Sequence, residues 1–132
     1  MHRSTAILFA ATLGALLAGA VGTAKADPKD YRFEAVQPNV AVSSQTPIAV
    51  RLVHLPDKAP VKDAVVFSSK MEMPMEGMAP MKTAITAVKS PVPGEYHFVT
   101  DLSMEGPWTL TLAAKVQGEA GTVIGAIPFV AR

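Results

Sequence analysis

Residues 93–114 read PGEYHFVTDLSMEGPWTLTLAA, and this stretch decides the fold. From Glu95 to Thr100, and again from Trp108 to Ala113, apolar and polar side chains alternate. A period of two sends successive side chains to opposite faces of a strand. Tyr96 and Phe98 therefore share one face, and His97 and Val99 the other. Trp108, Leu110 and Leu112 also share a face. Glu105-Gly106-Pro107 lies between the runs, a composition that turns the chain rather than extending a strand. The lone Trp108 reads as a core or rim anchor and not as a ligand stacker, because large aromatics dominate small cores.

The same alternation recurs on both sides. Tyr31 to Val36, Ile48 to Leu55 (entered through Pro47), Ala64 to Ser69, Thr83 to Val88 and Thr122 to Ile127, closing near Val130, complete seven strand-like runs. Turn signals such as Leu55-Pro56-Asp57 and Gly118-Glu119-Ala120-Gly121 punctuate them. Ten of the eleven prolines fall between Pro28 and Pro107, which disfavours helices. Seven short strands in roughly 100 residues predict an all-β, immunoglobulin-like β-sandwich. Ile48, Val50 and Leu52 are expected in its core. Pro128 predicts an edge strand or a bulge.

The first 26 residues read differently. His2 and Arg3 precede an apolar run, AILFAATLGALLAGAV (6–21), and Ala24-Lys25-Ala26 supplies a small-x-small site before Asp27. This is the layout of a secretory signal peptide. It predicts a signal over 1–26, a single domain over 27–132, a periplasmic protein and no stable membrane association once cleaved. Without Arg3 and Lys25 the chain carries ten basic and eleven acidic side chains, a net charge of −1. That balance argues against nucleic acid as a partner, which calls for a basic face. There is no cysteine, so neither disulfides nor thiolate metal sites are available.

The most unusual segment is KMEMPMEGMAPMK, residues 70–82. It holds Met71, Met73, Met75, Met78 and Met81; beyond the initiator, only Met104 lies elsewhere, in the Ser103–Gly106 turn. A thioether is a neutral, soft donor that suits Cu(I) and Ag(I) and ignores hard ions. It needs no deprotonation and cannot form a disulfide in an oxidising compartment. Met71, Met73 and Met75 are two apart and would share a face in extended chain, while Gly77 allows a bend that returns Met78 and Met81. The segment reads as a loop joining the third and fourth strands. Alternate connections of a sandwich emerge at one end, which predicts that Met104 joins the same site. Core packing and a metal-free docking surface are the competing readings of a methionine cluster.

His54 and His97 are the only histidines after residue 26, and His97 is the better placed candidate to join the methionines as a ligand. Their spacing gives no zinc signature, and no nucleophile motif or phosphate loop is present. An enzyme is not expected.

Pro93-Gly94-Glu95-Tyr96 followed by Met104-Glu105-Gly106-Pro107-Trp108 resembles the FixH/YtkA-like family of exported domains, whose members show P-G-x-Y and then M-x-G-x-W. The resemblance spans roughly Ile48 to Val130 and extends to the methionine segment. It implies an immunoglobulin-like sandwich with a copper-linked role, as an oxidase assembly factor or an efflux accessory. By position it carries over Met71, Met73, Met75, Met78, Met81 and Met104. Membrane-anchored members keep their N-terminal helix, and the Ala24–Ala26 site departs from that pattern. The expectation is therefore a periplasmic Cu(I) chaperone, buffer or efflux accessory. Its partners would be the copper ion and an efflux adaptor or copper-receiving protein. The alternatives are a metal-free interaction module and a membrane-anchored oxidase-assembly accessory.

Overall fold

The structure is a computed structural model that describes residues 28–132; the expected signal peptide lies outside the described residues. A 3-10 turn at Pro28–Asp30 leads into β1 (Tyr31–Ala35), β2 (Asn39–Val40), β3 (Ser43–His54), β4 (Ala59–Pro60) and β5 (Val65–Met75). These are followed by β6 (Met78–Thr83), β7 (Ile85–Val88), β8 (Glu95–Leu102), β9 (Gly106–Lys115) and β10 (Thr122–Ala131). They build two sheets. The first runs β1-β3-β8-β7 with β4 also paired to β3, and the second runs β2-β10-β9-β5-β6. All pairings are antiparallel except the short β2–β10 contact. Two facing sheets around one core make an immunoglobulin-like β-sandwich.

The inward residues are those the alternation selects. Ile48, Val50 and Leu52 of β3, Phe98 and Leu102 of β8, and Trp108, Leu110 and Leu112 of β9 are all buried in one cluster. Phe33, Val123, Ile127 and Phe129 complete it from β1 and β10. Each such side chain is worth about 1.5–3 kcal/mol when fully withdrawn from water. Tyr96 packs against this core, and its hydroxyl donates to the Val61 carbonyl (2.8 Å) and accepts from the Ala64 N–H (3.1 Å). That clasp ties the β4–β5 connection to β8, and burial raises the phenol's pKa. Pro128 sits where expected: β2 covers β10 only at Val130 and Ala131, so Pro128 lies on an open edge.

Three expectations need correction. β3 begins at Ser43, four residues before Pro47. The third strand does not end at Ser69 but runs on through the methionines to Met75. The predicted fourth strand is divided: β6 closes the second sheet, and after Ala84 the chain crosses to the first sheet as β7. Hydroxyls fix this crossing. The buried Thr100 donates to the Ala84 carbonyl and Thr83 donates to the Asp101 carbonyl, each at 2.7 Å.

Candidate metal centre at the methionine end

The methionine segment is a β-hairpin. β5 and β6 are joined at Glu76-Gly77, where Gly77 takes φ +70°, a left-handed conformation that most residues avoid. Met73 lies opposite Met81, and Met75 opposite Met78. Directly opposed side chains share a face, with Cβ atoms about 4.5–5.5 Å apart. Met78 and Met81 are three residues apart, so a regular strand would point them to opposite faces. A register shift prevents this: Pro74 alone on β5 stands opposite Ala79 and Pro80 on β6. The extra residue of this bulge sets both β6 methionines opposite those of β5.

The hairpin grades from core to solvent. Met71 is 0% exposed and Met73 5%, so both belong to the hydrophobic core. Met75 and Met81 are half-buried and pack against it, and Met78 at the tip is 69% exposed. The expectation of a methionine loop is thus corrected. Met71 lies beside Leu110 of β9 and fills core space. The reason is register: β5 pairs with β9 as far as Glu72, so the strand carries its inward methionines under the opposite sheet.

The β8–β9 turn stands next to this hairpin. Trp108 is 1% exposed, and its indole N–H donates to the Met104 carbonyl at 3.1 Å. Gly106 has φ +128°, and a Cβ built on it would meet the Met73 methyl at 3.3 Å. Met104, 42% exposed, therefore belongs to the same end of the sandwich as Met73, as the order of connections predicts. Alternation alone gives Trp108 an anchoring role and no part in holding the turn. The M-x-G-x-W spacing that binds Trp108 and Gly106 to Met104 was the available signal for more.

His97 is not brought to the methionines. It points away from the core on the first sheet, beside Ala49 and Val88, while the methionines face inward from the second. Its Nε2 lies 3.0 Å from Glu95 Oε1, and it lines a cavity of about 190 Å³ with Gln37, Val40 and Pro47. His54 lies at the opposite end, against the Tyr31 ring (centroids 5.0 Å apart) and 2.9 Å from Asp57 Oδ1. The hydrogen bond from His54 holds Asp57 below the ordinary carboxylate range. Among the described residues no group of three or more His, Cys, Asp or Glu side chains is placed to hold a metal. What the methionine end offers is a neutral, all-thioether donor set.

A domain family described as YtkA-like matches residues 25–113. No curated protein matches the chain. Among solved structures, the chain is similar to the Lin-41 filamin domain at 16% identity, covering 83% of this chain and 98% of that one, with a TM-score of 0.46. It is also similar to the ZirS C-terminal domain at 13% identity, covering 94% and 87% respectively, with a TM-score of 0.45.

Proposed function

Starting from the fact that the chain belongs to the YtkA-like family, we propose that it is an exported protein that binds Cu(I) at its methionine end and carries, buffers or passes on the ion. The observation that supports this reading is the facing of Met73 with Met81 and of Met75 with Met78, with the Met104 turn alongside. Thioethers are weak donors one by one, and a hairpin that holds several on one face lowers the entropy lost on gathering them around an ion. Soft sulfur selects Cu(I) or Ag(I) over Zn(II), Mg(II) and Cu(II). The signal-like leader and the lack of cysteine fit a compartment where thiolates would be oxidised. The exposed tip, where Met78 is open to a partner's ligands, supports delivery to an efflux adaptor or another copper-receiving protein.

Anaerobic titration with Cu(I) against a competing chelator tests this. The wild-type protein is expected to take up about one ion, with Ag(I) competing and Zn(II) not. A variant with Met75, Met78 and Met81 all changed to Leu keeps the hairpin apolar and should lose uptake. Equal binding by that variant and by wild type would refute the proposal.

Met78, Met104, Pro74, Ala79 and Pro80 are all exposed at this end of the sandwich, which favours a second reading as a metal-free docking surface. Partner capture that persists after copper is stripped would support that reading instead.

A further inference from the structure

We propose that Trp108 and Gly106 are positioning residues of the methionine site, fixing Met104 over Met73 so that both thioethers meet one soft ion; this rests on the Cu(I) reading above. Met104 lies in the three-residue connection Ser103–Glu105, outside either flanking strand. A connection of this kind samples many conformations unless something holds it. The indole of Trp108 does so. Its N–H reaches the Met104 carbonyl at 3.1 Å from a side chain buried in the core, so the turn is tethered to the packed interior. Gly106 supplies the complementary vacancy. With no Cβ, it leaves room for the Met73 methyl, which would otherwise stand 3.3 Å from that carbon. The M-x-G-x-W spacing thus has one physical sense: the first residue is the donor, the second makes room for a donor from the neighbouring strand, and the third holds the turn in place.

Such residues act through Met104 and not on the ion, which makes the inference separable from a plain stability effect. Trp108→Phe keeps an aromatic ring in the core but deletes the N–H, and should lower Cu(I) affinity about tenfold in the folded protein. The Trp108→Phe and Met104→Leu losses should not add: once the tether is gone, removing the sulfur costs little more. X-ray absorption should count fewer sulfur neighbours around copper in Trp108→Phe, a readout that loss of stability does not move. Gly106→Ala, which crowds the Met73 methyl and strains a backbone of φ +128°, should lower affinity as well, and the sulfur count in its folded fraction serves if Trp108→Phe fails to fold. In wild type, the emission of Trp108, the only tryptophan, should change on adding Ag(I), and Met104→Leu should abolish the change.

Additive losses, an unchanged sulfur count, or Ag(I)-induced emission changes that survive Met104→Leu would overturn the positioning role while leaving the Cu(I) reading standing. A wild-type protein that takes up no Cu(I) overturns both.

Discussion

Met71 and Met78 are seven residues apart in one hairpin and share the same chemistry, yet one is sealed in the core and the other is 69% open to solvent. At the root, β9 covers β5 and the opposite sheet closes over it, so a methionine there is worth its volume and apolar area. At the tip the ladder to β9 has ended, β6 is the last strand of its sheet, and a methionine there is worth its sulfur. Residue type is thus a poor guide to role within this segment, and position in the ladder is a good one. Met73 stands at the junction, buried but reaching the turn that carries Met104.

The sharpest way to break this comparison is truncation at the root. Met71→Ala should destabilise the fold by about 2–5 kcal/mol, the usual range for a buried methionine cut to alanine, as read by urea unfolding. Copper uptake per folded molecule should be unchanged. A stable Met71→Ala protein would show that the root is not core. At the tip the pattern should invert. Met78→Leu should change stability by no more than about 0.5 kcal/mol while weakening Cu(I) binding about tenfold, near 1.4 kcal/mol. Met73→Leu sharpens the contrast by falling between them: a volume-conserving swap should cost less than about 1.5 kcal/mol and still reduce the sulfur count.

The smallest effect concerns pH. No titratable side chain belongs to the proposed donor set, so Cu(I) affinity should be flat between about pH 5 and 7, apart from the chelator's own titration. The other end of the molecule supplies the control. Asp57 titrates below the ordinary range because His54 hydrogen-bonds its carboxylate. A depressed carboxylate stabilises the fold above its unfolded pKa and loses that contribution as pH falls through the lower folded value. Carboxyl shifts followed by NMR should place the Asp57 midpoint below that of an unperturbed aspartate, in a range where the methionine end shows no change. A tenfold loss of Cu(I) affinity at pH 5 would instead bring a histidine into the site.

Much of the architecture was legible from alternation alone. Tyr96, Phe98, Trp108, Leu110 and Leu112 fall on the faces their spacing predicts, because one buried face leaves a strand only one acceptable register. The methionine segment was not legible in the same way. Pro74, Gly77 and Pro80 read as loop residues, but each is tolerated for a reason that depends on neighbours. Pro74 lies past the end of the β9 ladder and within the β6 register shift, where a missing N–H breaks no regular pair. Pro80 lies on the last strand of its sheet. Ladder ends and sheet edges are facts of tertiary pairing, which a single strand does not encode. The exclusion of His97 had the same origin: alternation placed it opposite Phe98, but only the sheet order shows that its face looks away from the methionines.

Because the extra residue of the bulge lies on β6 and none lies on β5, the hairpin is sensitive to parity along β5 over evolutionary time. Losing Pro74 would leave every methionine in the sequence but make Met73 and Met75 adjacent, turning one of the pair to the other face of the sheet. A lineage could silence such a site by a single-codon deletion, with no change in methionine content, and restore it by one insertion. Among homologues of this chain, the number of residues separating those two methionines should therefore track retention of the site more closely than the number of methionines does.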